Sequence, residues 1–227
     1  MQRKIDISVV VPIFNEEKSL PLLVDQLLKV MRANEYRFEL VFINDGSTDN
    51  SAEVLIGLSN EVPELLCVLL RKNYGQTAAM SAGFDISIGE IIVTLDGDLQ
   101  NDPYDIPKLV KRMREGFDLV SGWRYERKDS LISRKLPSKL ANHLIGCVTG
   151  VRLNDYGCSM KAYRREVLTD IRPYGELHRF LPVLANIEGA NITEIRVNHR
   201  PRRYGRSKYG IDRTFRVLMD LLTVWFM

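Results

Sequence analysis

The run Ile7-Ser-Val-Val-Val-Pro-Ile-Phe-Asn-Glu-Glu17 decides the fold. Residues 7–13 are apolar except for Ser8, the length and character of a strand buried on both faces. Pro12 stands at the strand end, and Asn15-Glu16-Glu17 make a polar turn, with Glu17 either in the turn or opening the next helix. Residues 18–31 then carry Leu20, Leu23, Leu27 and Met31 at helical spacing. The same strand-then-helix unit recurs along the chain. Apolar runs at 40–43, 65–70, 91–95 and 118–121 read as strands, and stretches at 51–58, 76–88 and 107–115 read as helices. That alternation predicts an α/β fold, a mostly parallel central sheet flanked by helices.

The second half is less regular, with helices expected at 138–148, 164–171 and 180–188 and a strand at 192–197. No internal repeat, low-complexity tract or Gly/Ser linker interrupts it. The simplest organisation is one domain over 1–210 and an appendage over 211–227.

Ligands of open α/β sheets bind beyond the carboxyl ends of the strands. Asn15-Glu16, Asp45-Gly46-Ser47, residues 71–75 and residues 96–100 each follow an expected strand, so four polar clusters should share one rim. Within the last, Asp96-Gly97-Asp98-Leu-Gln100 is the sharpest motif. Two carboxylates flank one small residue just past a strand end, where both can address one cation. Hard oxygen ligands suit Mg²⁺ or Mn²⁺, which keep waters and take further ligands from substrate phosphates. Gln100 adds a neutral oxygen. Alone, however, the motif equally describes a polar turn. Asp45-Gly-Ser-Thr-Asp49 also reads two ways. Ser47 or Thr48 would cap the next helix with Asp49 in its first turn, while Asp45 would accept hydrogen bonds from a nucleobase or ribose.

Composition narrows the class. With 45% hydrophobic and 27% charged residues the chain is an ordinary globular protein, which excludes a disordered or collagen-like one. Cys67, Cys147 and Cys158 are odd in number and lack CxxC spacing, which argues against a disulfide framework and a four-cysteine zinc site. Cys158 reads as a small buried residue, and His143, His178 and His199 have no metal-ligand spacing. The net charge of +3 conceals a sharp division. Residues 196–216 hold eight Lys/Arg against Asp212 alone, a segment of +7 that leaves −4 for the rest and calls for an anionic partner. No signal peptide is apparent at the start, and no window reaches the ~20 apolar residues of a membrane span. The apolar rise over 217–227, with Trp225 and Phe226, reads either as a last helix packed on the core or, the reading preferred here, as an amphipathic juxtamembrane helix leading to membrane segments beyond.

Taken in order, VVVPIFNEE, VFINDGSTD, RKNYGQTAAMSAGF, VTLDGDLQNDP, SGWRYER, DYGCSMKAYRREV and RPRRYGRSKYG resemble the family 2 glycosyltransferases of GT-A fold. The resemblance covers nearly all of residues 5–216. It is greatest to the bacterial polyprenyl-phosphate glycosyltransferases that carry glucose or aminoarabinose, and more distant to the dolichol-phosphate mannose synthases. It implies a nucleotide-sugar donor near Pro12, Phe14, Glu16, Ile43, Asp45 and Gly97. Its diphosphate would lie on a divalent metal, Mg²⁺ or Mn²⁺, held by Asp96, Asp98 and Gln100. The family commonly has DAD where this chain has Asp96-Gly97-Asp98, a looser turn. The resemblance also implies inversion at the sugar carbon, a UDP-sugar donor with glucose as the expected sugar, and polyprenyl phosphate as acceptor. The expected location is the cytoplasmic face of the inner membrane, on the lipid bilayer, with a homo-oligomer left open.

A lipid phosphate is already anionic, so such a transfer needs cations to hold the acceptor more than it needs a strong base. Arg124, Arg127 and Arg134 follow the strand ending at Ser121, and Arg202, Ser207 and Lys208 match the family's RxxGxSK pattern, with Gly205 inside it. Asp155 reads either as a catalytic carboxylate at the acceptor or as a structural partner for an arginine. Three other functions compete: a soluble family 2 transferase using a hydroxyl acceptor, a GDP-mannose-using enzyme, and a nucleic-acid-binding protein. The last leaves the Asp96–Asp98 rim unexplained and lacks base-stacking aromatics beyond Tyr204 and Tyr209, so no nucleic-acid partner is expected.

Overall fold

The computed structural model describes residues 5–125, 145, 146, 149–169, 171, 173, 175 and 177–204. Its centre is a sheet of seven strands in the order β3-β2-β1-β4-β6-β5-β7. The strands are β1 (Ile7–Ile13), β2 (Phe38–Asn44), β3 (Leu65–Leu69), β4 (Ile91–Thr94), β5 (Leu119–Arg124), β6 (Lys161–Arg164) and β7 (Ile192–Val197). The helices are α1 (Leu20–Ala33), α2 (Ser51–Glu61), α3 (Gln76–Ile86), α4 (Ile106–Arg114), α5 (Arg165–Thr169) and α6 (Leu181–Ile187). All pairings are parallel except those of β6, which runs antiparallel to both β4 and β5. The carboxyl ends of the other six strands therefore lie along one rim, as expected.

β1 shows why the sheet is buried on both faces. Ile7, Val9, Val11 and Ile13 turn into one core with Leu20, Leu23, Leu27 and Met31 of α1 and Leu109 and Met113 of α4. Val10 turns into the opposite core, with Met80 and Phe84 of α3 and Leu181 and Ala185 of α6. α3 lies very close to the sheet here. A Cβ on Gly83 would fall 2.4 Å from a methyl of Val10, so only glycine permits the approach. The amphipathic faces of α1 and α4 account for their formation. Each has a proline in its first turn, where the missing N–H costs nothing. α4 ends on Lys111, Arg112 and Arg114, which favour its C-terminal dipole.

Two features differ from the sequence reading. No strand is expected where β6 lies, and residue 164, expected to begin a helix, instead ends this strand, with α5 starting one residue later. β5 and β2 also run longer than their apolar cores. Of the helix expected at 138–148 only Ile145 and Gly146 are described, and both are helical. The proposed boundary at 210 and the appendage at 211–227 lie outside the described residues. Among those described, no helix is long and apolar enough to cross a membrane.

Candidate active site

The rim is built from the loops after β1, β2, β3, β4 and β7 and the segment entering β6. Its first part is a latch between the β1 and β2 loops. Asn15, with φ of 56°, donates its N–H to Ser47 Oγ at 2.9 Å, while its Oδ1 accepts from the N–H of Thr48 at 2.7 Å. Neither Ser47 nor Thr48 caps α2, whose N-cap is Asn50 without a side-chain capping bond. Asp49 Oδ1 accepts from the N–H of Ser51 at 3.0 Å, while Ser47 and Thr48 serve the β1 loop. Burial raises the pKa of Asp49, and the bonds from Ser51 and Glu17 outweigh it, so the net shift is downward.

Asp45 is buried, and its carboxylate accepts from the N–H groups of Tyr74 (2.7 Å) and Gly75 (2.9 Å). It therefore fastens the loop after β3 across the rim. Gly46 makes that possible: its φ is +61°, and a Cβ there would meet the Lys72 carbonyl carbon at 2.3 Å. The Ile43 side chain, expected near the donor, is fully buried in the core beneath α3 and supports the rim from below. Pro12, Phe14 and Glu16 are half-buried at the end of β1 and in its loop.

The Asp96-Gly97-Asp98 turn lies at the end of β4, beside the β1 loop. Asp96 Oδ1 accepts from Gln76 Nε2 at 2.8 Å, and its Oδ2 accepts from the Ser159 hydroxyl at 2.7 Å. Its backbone N–H donates to Asn101 Oδ1 at 3.0 Å. Asp98 is 7% exposed. Its Oδ1 accepts from the N–H of Gln100 at 3.0 Å, and its Oδ2 accepts from Arg202 Nη2 at 2.6 Å. The intervening Leu99 adopts φ of 64°, a left-handed conformation that costs a non-glycine residue and marks a tightly determined turn. Burial, then the Asp96 charge, pushes the Asp98 carboxyl up to about 6, against the opposing pull of the Gln100 N–H and Arg202. Gly97 sits where a Cβ would fall 2.5 Å from Ile13 Cδ1, so in this chain glycine is fitted to the isoleucine beneath it.

The donor set suits a hard cation. Asp98 Oδ2 and Gln100 Oε1 both turn toward one guanidinium nitrogen of Arg202, at 2.6 and 3.3 Å, so a positive charge already stands among these oxygens. No cluster of three or more His, Cys, Asp or Glu suited to a metal exists among the described residues. A divalent ion here would rest on Asp96, Asp98 and Gln100 and complete its shell with water and substrate oxygens, the usual habit of Mg²⁺.

Beside this turn, Arg124 forms a bidentate pair with Asp155, Nε to Oδ2 at 2.7 Å and Nη2 to Oδ1 at 2.8 Å, with both side chains largely buried. Burial lowers the Arg124 pKa and the Asp155 bonds more than offset it, so the net shift is upward. Asp155 is thus placed as the holder of Arg124. Arg196 stacks on Tyr125 and Trp123, at 4.0 and 5.2 Å from their ring centroids. Arg200 pairs with Asp102. Part of the basic segment therefore pairs within the fold. Arg127, Arg134, Ser207 and Lys208 lie outside the described residues. Gln76, Asn101 and Ser159 are additions to the expected site. Each lies inside a stretch that carries the family resemblance, RKNYGQTAAMSAGF, VTLDGDLQNDP and DYGCSMKAYRREV in turn, and that is the signal that could have found them.

A model of glycosyl transferase family 2 matches residues 8–172, most of the chain. The chain belongs to glycosyl transferase family 2. This family 2 transferase is 48% identical over 230 residues to the dodecaprenyl-phosphate galacturonate synthase of Rhizobium johnstonii, covering 99% of this chain and 68% of that one. It is 44% identical over 219 residues to the undecaprenyl-phosphate 4-deoxy-4-formamido-L-arabinose transferase of Photorhabdus laumondii, covering 96% and 67%. It thus spans about two thirds of the length of these curated relatives, and neither is named for glucose, the sugar expected from sequence. Glucosyl-3-phosphoglycerate synthase from Mycobacterium tuberculosis, solved with Mn²⁺, UDP and phosphoglyceric acid, superposes with a TM-score of 0.74 at 20% identity, covering 97% of this chain and 78% of that one. That likeness establishes the GT-A architecture, and with the family match this chain is a glycosyltransferase.

Proposed function

We propose that this enzyme moves a sugar from a UDP-sugar to the phosphate of a polyprenyl phosphate at a membrane surface, with inversion and with Mg²⁺ or Mn²⁺. The observation that carries the reading is the convergence of Asp98 and Gln100 oxygens on one cationic position beside Asp96, at the carboxyl rim of the sheet. The names of the relatives support the acceptor, and they replace glucose with a uronic acid or a modified aminopentose as the sugar. The solved neighbours that bind Mn²⁺ or Mg²⁺ with UDP support the metal and the donor nucleotide.

A divalent ion held by Asp96, Asp98 and Gln100 would offset charge on the donor diphosphate as it leaves, a contribution of several kcal/mol. Gln76 and Ser159 hold the Asp96 carboxylate in place, and the Gln100 N–H holds that of Asp98. An oxygen of the lipid phosphate attacks the anomeric carbon, the bond from that carbon to the diphosphate breaks, and UDP departs with its electrons. The acceptor carries no proton that must be removed. This suits a site whose Asp155 is committed to Arg124, and it disfavours a hydroxyl acceptor, which would need a base. Arg124, held rigid by Asp155, would receive the acceptor phosphate.

The test is a donor screen in detergent micelles containing undecaprenyl phosphate, with UDP-galacturonate, a UDP-4-amino-4-deoxyarabinose derivative, UDP-glucose and GDP-mannose. Lipid-linked sugar from one of the first two supports the reading. Transfer confined to a water-soluble hydroxyl acceptor would reject it.

A further inference from the structure

The Arg202 guanidinium is engaged by the very oxygens that a metal would use. Nη2 lies 2.6 Å from Asp98 Oδ2 and 3.3 Å from Gln100 Oε1, and Nη1 lies 3.8 Å from Glu16 Oε1. The arginine is delivered there by a well-tied segment. After β7, Asn198 bonds Asp105, His199 bridges Asn101, the Arg200 N–H donates to the Gln100 carbonyl at 2.8 Å, and the Arg200 side chain pairs with Asp102. The backbone up to Arg200 is thus anchored against the loop that carries the motif, while the Arg202 side chain reaches past it to these acidic and amide oxygens.

A divalent ion bound to Asp98 would sit at about 2.1 Å from its oxygen. Two cationic centres on that one oxygen would then lie within about 5 Å of each other and repel. Both cannot be held well. Building on the metal site proposed above, we propose that Arg202 fills the cation position while the enzyme is free of metal, and that metal entry expels it. The expelled guanidinium, on a chain still anchored at Arg200, is then free to grip an anionic phosphate, for which its planar fork is suited. Arg202 is in this sense a positioning residue with two stations. The phosphate-binding arginine becomes available only when the metal is present, which orders metal before acceptor.

Two measurements on the full chain, without nucleotide or lipid, test this. Mn²⁺ is titrated by electron paramagnetic resonance into wild type, Arg202→Gln and Asp98→Asn. Separately, an arginine-selective dicarbonyl reagent is applied with and without saturating Mg²⁺, and labelling is mapped by mass spectrometry. The expected results are Mn²⁺ binding about tenfold tighter in Arg202→Gln than in wild type, a coupling of ordinary size, and Arg202 labelling that rises several-fold with Mg²⁺. Arg200, which stays paired with Asp102, serves as the internal control, and Asp98→Asn should leave Arg202 reactive with or without Mg²⁺. Equal Mn²⁺ affinity in wild type and Arg202→Gln, or an Arg202 that stays protected in metal-loaded enzyme, would overturn the exchange while leaving the metal site standing. Failure of both wild type and Arg202→Gln to bind Mn²⁺ would instead remove the metal site itself, and the exchange with it.

Discussion

Replacing Asp155 with Asn would keep the shape of the side chain and remove its charge, leaving the Arg124 guanidinium buried with a neutral partner. In the native pair two charge-assisted bonds of 2.7 and 2.8 Å join side chains that are 15% and 5% exposed. The Arg124 N–H also donates to the same carboxylate at 3.3 Å, and Glu194 fixes the Asp155 backbone from behind at 3.0 Å. Breaking such a buried pair from one side costs roughly 3–5 kcal/mol, chiefly because the remaining charge is stranded. Against a total stability of about 5–15 kcal/mol that is a large loss, and it should lower the melting temperature by on the order of 10 °C. Urea denaturation followed by circular dichroism would measure it in Asp155→Asn, Arg124→Met and the double variant. The double variant should be less destabilised than the sum of the two singles, since removing both charges strands neither. An Asp155→Asn protein within about 1 kcal/mol of wild type, yet slowed by orders of magnitude in transfer, would refute the reasoning and return Asp155 to the role of a catalytic carboxylate.

Glycine positions and a buried histidine supply three more tests. Gly46→Ala should cost about 2 kcal/mol or more, because it combines a left-handed φ with a clash against the Lys72 backbone; amide exchange should show Tyr74 and Gly75 released from Asp45. Gly97→Ala should cost about 1–3 kcal/mol by crowding Ile13 Cδ1, and Ile13→Val, which removes that methyl, should recover part of the loss in the same denaturation assay. His178, buried and bonded to Thr77 Oγ1 at 2.7 Å, is pushed down to about 3 by burial and then by Arg179 and Lys161, from an ordinary value of 6.5. Its folded pKa is depressed, so between pH 6.5 and about 3 the unfolded chain gains a proton that the folded one refuses. Stability should fall as pH drops through that window, by up to about 1.4 kcal/mol per pH unit from this group. His178→Gln should flatten the slope, and an unchanged slope would mean the imidazole accepts its proton while folded.

The features legible in the sequence are those that leave a local pattern. β1 and β4 are announced by apolar runs, and the rule that ligands gather at strand carboxyl ends brings residues 15–16, 45–47, 71–75 and 96–100 together. β6 leaves no such pattern. Lys161-Ala-Tyr-Arg164 is charged at both ends, and the buried Lys161 ammonium is accommodated because the carbonyls of Tyr156 and Cys158 receive it. Burial of Ile43 is equally invisible, since a strand-end isoleucine looks the same whether it faces a ligand or lies under a helix. The pairings that define the site, Arg202 with Asp98 and Arg124 with Asp155, join residues far apart in the chain. A charge count shows that these groups exist but not which of them meet. The +7 segment reads as a surface for an external anion, yet its Arg196, Arg200 and Arg202 are held by aromatic rings and acids of the same fold.

On the proposed function, the Asp96–Asp98 turn is the centre of a metal-dependent transfer to a lipid phosphate. The most direct measurement is the rate of lipid-linked sugar formation from a UDP-sugar and undecaprenyl phosphate, for wild type and Asp98→Ala, each with Mg²⁺ and with the metal chelated. Product should form only in the wild-type enzyme supplied with metal, with UDP released in equal amount. Near-normal transfer by Asp98→Ala, or by wild type stripped of metal, would contradict it.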